Sequence, residues 1–208
     1  MKKLFYTTSI VALGLMASCG EETKETKDTE AKAEVKDTVQ AEVIEAPLAM
    51  PAGWEMTENA EITFLAVKDS VTQAEMDQMS AKMGADYGKI VNYMTKSKIE
   101  FAGAPLTQWF SWDTTAYSVF VAGIPVAAGT VGTKGIEVMT IPAGNVVKYT
   151  HTGSYESMQD AHFAINDYFM ASGTDAIGGP WEIYVTDPGT EPDTTKWISE
   201  IYYPVAGN

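Results

Sequence analysis

The sequence predicts an α+β domain, an antiparallel sheet assembled from a tandem repeat of two strand-helix-strand-strand units, with both helices packed on one face. Three observations predict it. The chain aligns with itself: SVTQAEM, ending at Met76, matches GSYESM, ending at Met158; GAPLTQWFSWD, from Gly103, matches GGPWEIYVTD, from Gly178; YSVFVAGIPV, ending at Val126, matches KWISEIYYPV, ending at Val205. Each copy carries one segment with apolar residues at helical spacing. Each copy also ends in two short runs rich in β-branched and aromatic residues, which suit strands. The copies run over about 54–126 and 136–205.

In the first copy, Ile62 to Val67 is a strand candidate. Thr72-x-x-Glu75 reads as a capping box, hydroxyl and carboxylate reciprocally satisfying first-turn amides. Met76, Met79, Met83, Tyr87, Ile90, Val91 and Met94 then recur on one helical stripe, read as core. In the second copy, Val138 to Thr152 is strand-like but broken at Ile141-Pro142-Ala143-Gly144. Thr152 or Ser154 caps a helix carrying Met158, Ala161, His162, Ile165, Tyr168 and Phe169, and Ser172-Gly173 ends it, glycine being favoured in the left-handed position there. WEIYVTD and WISEIYYPV supply the last two strands. The glycine-rich stretch from Gly129 to Gly135 lies where the copies join and reads as a linker.

Ahead of the domain, expected to span 47–208, Lys2, Lys3 and the apolar run Leu4 to Met16 have the pattern of a signal peptide, residues 1–18. Leu15-Met16-Ala17-Ser18-Cys19 resembles a bacterial lipobox. It predicts acylation of Cys19 and anchoring to a bacterial membrane, with the domain facing the periplasm or exterior. The alternative is a secreted protein cut near Ala17 with an idle thiol; Cys19 is the only cysteine, so nothing exists to pair with it. Residues 19–46, the acylated cysteine and a stretch rich in Glu, Lys, Thr and Ala, are read as a disordered tether reaching about 30 Å r.m.s. as a flexible coil. Without disulfides the domain depends on its core, and a domain of this size buries roughly 70% of its unfolded surface.

The formal net charge is -14. Such an acidic chain has no electrostatic route to phosphate backbones, so no nucleic-acid partner is expected. His151 and His162 have no metal-ligand spacing. No nucleotide fingerprint or nucleophile elbow occurs, and no metal or cofactor is expected.

Glu200 stands in the middle of the apolar strand WISEIYYPV. By period-two alternation Ser199, Ile201 and Tyr203 turn toward the helices, as do Phe120, Ala122 and Ile124, which align with them in the first copy. Glu200 and Tyr202 then lie on the helix-free face, which is solvated or curls into a cleft. Tyr184 and Trp109, aligned with each other, are read as aromatic walls of the same face. A carboxylate among such rings suits an organic cation. From these residues alone, a solvated glutamate on an open face is the favoured reading.

The run IPAGNVVKYTHTGSYESMQDAHFAINDYF, followed by GGPWEIYVTDP and WISEIYYPV, resembles the GyrI-like small-molecule-binding domain, also called the AraC-type effector-binding domain. The marks are Gly153-Ser154-Tyr155, Tyr184 to Pro188, and Glu200, Ile201, Pro204 and Val205. The resemblance implies a ligand cleft between the two units, on the face away from the helices. It places Glu200 in that pocket, paired with a cationic or heteroaromatic ligand among Tyr184, Trp109 and Tyr202. It leaves open a hydrolase of strained or electrophilic molecules with Glu200 as general base, or a protein-interaction module. No DNA-binding helix-turn-helix precedes the domain in this sequence. The expected partners are a small molecule and, through the lipid, a membrane; the protein is expected to act as a monomer.

Overall fold

The computed structural model describes residues 48–113 and 115–207. The expected signal peptide, Cys19 and the whole of the expected tether lie outside them. The elements are β1 (Trp54–Asn59), β2 (Ile62–Thr72), α1 (Met79–Ser97), β3 (Leu106–Ser111), β4 (Tyr117–Pro125), β5 (Glu137–Ile141), β6 (Gly144–Thr152), α2 (Met158–Ser172), β7 (Trp181–Tyr184) and β8 (Ile198–Pro204). A 3-10 turn leads into each α-helix, Gln73–Gln78 and Tyr155–Ser157. The capping box is present: Glu75 Oε2 accepts from Thr72 N at 3.1 Å and from Thr72 Oγ1 at 3.0 Å. It opens the 3-10 turn rather than α1 itself. Gly173, at φ 69°, ends α2 in the left-handed conformation.

The strands form one antiparallel sheet in the order β1-β6-β8-β7-β3-β4-β2-β5. The repeat is therefore real, with β2-α1-β3-β4 and β6-α2-β7-β8 meeting at the central pair β3 and β7. Two strands depart from the expectation. The segment Trp54–Asn59, which was not among the expected strands, is one. It pairs with β6 of the second copy, while β5 pairs with β2 of the first. The copies have exchanged their outer strands.

This exchange forces the sheet to curl. From β1 to β2 the strand order advances six places, about 29 Å in a flat sheet at about 4.8 Å per step. Yet only residues 60 and 61 link them, a reach of about 11 Å. Residues 142 and 143 make the corresponding link from β5 to β6, and Asn59 Nδ2 donates to Pro142 O at 3.0 Å where the two links meet. The edges close toward each other on the helix-free side. Phe64, Leu106, Val121, Ile141, Val146 and Trp181 fill the concavity. Burial of each large side chain there contributes about 1.5–3 kcal/mol. Gly123 permits the tight curl: a Cβ on it would lie 2.5 Å from Phe64 Cδ2 and 2.9 Å from Leu106 Cδ1.

The other face carries the helices. α1 packs Ile90 and Met94 on Leu65, Val67 and Ile124 of β2 and β4. α2 packs Met158, Ile165 and Phe169 on Val147, Ile201 and Tyr203 of β6 and β8. Each helix sits over the outer strands of its own copy. The central strands β3 and β7 are left without a helix above them.

Candidate functional site

The gap over β3 and β7 is a groove of about 960 Å³ between the N-terminal halves of α1 and α2. Strand pairing sets what its floor presents, because residues directly opposite in an antiparallel pair share a face. Thr107 pairs with Glu182, and Trp109 pairs with Phe120, a residue packed toward α1. Glu182 and Tyr184 are two apart on β7 and share that face. Thr107, Trp109, Glu182 and Tyr184 therefore all point between the helices. A bulge at Phe110 adds one residue to β3. Trp109 and Trp112, three apart, would otherwise diverge; here their rings meet edge to face at 5.0 Å and both line the groove. Gly179 allows the backbone of Trp109 to come close, since a Cβ there would strike the Trp109 carbonyl.

Glu182 is 5% exposed. Its Oε1 accepts from Trp109 Nε1 at 3.0 Å and from His162 Nε2 at 2.9 Å; its Oε2 accepts from the Tyr184 hydroxyl at 2.7 Å. Thr107 Oγ1 lies 2.9 Å from the Tyr184 hydroxyl and 2.9 Å from the Tyr87 hydroxyl, which itself donates to Leu106 O at 2.6 Å. Tyr203 OH meets His162 Nδ1 at 2.8 Å. Burial pushes the Tyr87, Tyr155, Tyr184 and Tyr203 phenols upward, and the Glu182 charge adds to the shift in each. They are hydroxyl donors and not bases. Three donors thus converge on Glu182, yet no Lys or Arg lines the groove among the described residues. The carboxylate is oriented, and no Lys or Arg balances its charge there.

The walls are apolar. Tyr155 lies 5.0 Å from Tyr184, ring to ring, and Tyr87 lies 6.5 Å from Tyr184 at 87°. Met79 and Met83 line the groove as well, so the methionine stripe of α1 is core at Met94 and groove wall toward its N-terminus. Methionine is flexible and polarisable, which suits a wall that moulds to a ligand.

Of the four residues expected in one cleft, Trp109 and Tyr184 are in the groove. Glu200 and Tyr202 are not; they lie across the sheet. The correction follows from register: Glu200 pairs with Ile183 and Tyr202 with Trp181, residues one step out of phase with Glu182 and Tyr184. The expectation that the main cleft lies away from the helices is corrected with it, because the curl fills that side with its own side chains. A smaller hollow of about 290 Å³ lies there, lined by Lys148, Trp181 and Tyr202 with part of β1. Glu200 is also already compensated. Lys148 Nζ donates to its Oε1 at 2.7 Å and Tyr202 OH to its Oε2 at 2.6 Å. Burial works to raise this carboxyl, but the hydrogen bonds from Lys148 and Tyr202 and the Lys148 charge together hold it below the ordinary range.

Glu182 was not singled out in the sequence, and His162 was weighed only as a metal ligand and read as structural. A signal for Glu182 existed: it lies two residues from Tyr184 and between the apolar Trp181 and Ile183. His151 does brace a loop, its Nε2 lying 2.9 Å from Ser157 Oγ. Among the described residues no three His, Cys, Asp or Glu side chains are placed to hold a metal ion, and no helix is long and apolar enough to cross a membrane.

Residues 56–206 match the family described as the GyrI-like small molecule binding domain. No curated protein matches the chain. Solved structures do. The crystal structure of the EcmrR C-terminal domain aligns at a TM-score of 0.61 and 17% identity, over 74% of this chain and 98% of that one. The structure of SAV2435 bound to tetraphenylphosphonium aligns at 0.52 and 16%, over 74% and 94%. The chain covers 57% of EcmrR in the cryo-EM structure of its DNA complex, at a TM-score of 0.59 and 17% identity. At these identities the likeness is one of fold.

Proposed function

The chain belongs to the GyrI-like family of small molecule binding domains, and on that premise we propose that the groove between α1 and α2 binds an organic cation with an aromatic or bulky apolar body, Glu182 supplying the counter-charge. The observation that carries this is the Glu182 carboxylate, buried, held by three donors, and facing a groove lined among the described residues by no Lys or Arg. A buried charge without a partner is costly, and a cationic ligand relieves that cost. Tyr184, Tyr155, Tyr87 and Trp109 present ring faces and edges to the same volume, and ring quadrupoles attract cationic groups. The SAV2435 structure, of the same fold, holds the lipophilic cation tetraphenylphosphonium.

Binding of tetraphenylphosphonium, followed by calorimetry, tests the reading. Glu182→Gln keeps the shape and removes the charge; a loss of about tenfold or more in affinity is expected, 1.4 kcal/mol being a factor of ten. Glu200→Gln is expected to leave affinity unchanged. Equal affinity for wild type and Glu182→Gln would sink the reading. Hydrolysis with Glu200 as general base is disfavoured, because that carboxylate is paired with Lys148 and faces away from the groove. Absence of binding by any organic cation would favour the protein-interaction module instead. The same proposal takes Cys19 as an acylated anchor that holds the domain at a bacterial membrane, facing the periplasm or the exterior. It rests on the lipobox-like sequence, and loss of radiolabelled palmitate incorporation in Cys19→Ser is the check.

A further inference from the structure

The contact between His162 and Glu182 carries a second step, which rests on the cation-binding reading above. A carboxylate only accepts, so His162 Nε2 carries a proton and donates it to Glu182 Oε1 at 2.9 Å. The other nitrogen, Nδ1, faces the Tyr203 hydroxyl at 2.8 Å. A hydroxyl both donates and accepts. With neutral imidazole, Tyr203 donates to Nδ1; with imidazolium, Nδ1–H donates to Tyr203. The ring therefore takes up or releases a proton without leaving its place.

We propose that His162 sets the charge class of ligand that the groove accepts. Neutral His162 leaves the Glu182 charge free for a cation. Protonated His162 cancels that charge at hydrogen-bond distance, so a proton on His162 and a cation in the groove compete for one carboxylate. The titratable groups facing this pair are Tyr184 of β7, Tyr203 of β8, Tyr87 of α1, Tyr155 and Glu156 of the turn before α2, and Asp187 after β7. The four tyrosines are pushed upward and stay neutral. Glu156 and Asp187 are exposed, and neither hydrogen-bonds to Glu182 or to His162 among the described contacts. Of the groups around the floor carboxylate, His162 alone is an imidazole, the side-chain type whose charge can change near neutral pH, and it touches Glu182 directly.

Calorimetric titration of the full chain with tetraphenylphosphonium, and with the uncharged triphenylphosphine oxide, at pH 8 and pH 5.5 tests this. Wild type is expected to bind the cation about fivefold to tenfold more weakly at pH 5.5, with the uncharged compound indifferent to pH. In His162→Gln, whose amide can still donate to Glu182, the pH dependence of cation binding is expected to vanish. A wild-type affinity that is flat across this range, or a fall that persists in His162→Gln, overturns the proposal and leaves the cation reading standing. Cation binding that survives Glu182→Gln, or no binding at all, overturns both. Should His162→Gln fail to fold, wild type titrated near pH 6.5 in two buffers of different ionisation enthalpy decides. Cation binding is then expected to release a proton, up to one per site, and uncharged binding none; no release overturns the proposal.

Discussion

Trp109 donates its indole N–H to Glu182 Oε1 at 3.0 Å, joining residues 73 apart in the chain and one on each repeat. The two central strands thus share a buried side-chain bond in addition to their backbone ladder. The repeats are not equivalent where they meet. By the self-alignment, Thr107 of the first copy stands where the second has Glu182, and Trp109 stands where it has Tyr184. The second half supplies the charge and two of its donors, His162 and Tyr184, and the first half supplies the third, Trp109. A repeated fold thereby acquires a groove whose buried charge sits on one half.

Trp109→Phe keeps most of the ring and deletes this donor. The buried carboxylate then loses one of its three partners, and a hydrogen bond to a charged group contributes about 1.5–3 kcal/mol. Urea unfolding is expected to show a stability loss of that order, at unchanged m-value. A loss well below about 1 kcal/mol would mean that the bond does not form in solution.

Gly123→Ala tests the curl. The added methyl meets Phe64 and Leu106 inside the concave core, and overpacking of this kind costs about 1–3 kcal/mol. Denaturant unfolding measures it, and trimming the obstructing ring in Gly123→Ala/Phe64→Leu is expected to recover part of the loss. Additive losses in the double variant would contradict the packing described.

Asp86 of α1 is buried, with Oδ1 accepting from Lys89 Nζ at 2.7 Å and Oδ2 without a partner among the described residues. Burial raises this carboxyl above its ordinary value, against the opposing pull of Lys89. A raised acid favours the folded state while protonated, so its contribution is present below the unfolded pKa and lost as pH rises through the folded one. Asp86→Asn is therefore expected to raise the melting temperature at pH 7 relative to wild type, and to change it little at pH 3. Thermal unfolding at the two pH values checks this; a lower melting temperature at pH 7 would contradict it.

Within one strand, the sequence was a good guide to direction. Alternation along WISEIYYPV puts Ser199, Ile201 and Tyr203 under α2 and Glu200 on the opposite face, as the structure has them. Between strands it was not. Whether Trp109 and Tyr184 share a face with Glu200 depends on register, and a slip of one residue reverses every side chain. Register is fixed here by long-range pairing and by the bulge at Phe110, neither of which is written in local spacing. The exchange of β1 and β5 was equally hidden. WEMTEN alternates only from Trp54 to Thr57, and nothing local in it points to a partner some 90 residues away, Trp54 pairing with Tyr149. Glu182 was overlooked because Glu200 is the more conspicuous charge, set in a longer apolar run.

The traded outer strands also limit how the protein receives a guest. Because β1 is clasped by the second repeat and β5 by the first, the halves are interlocked, and swinging them apart like jaws would strip both edges from the sheet. Accommodation of differently shaped molecules thus falls to pliant side chains such as Met79 and Met83, over a base that does not hinge.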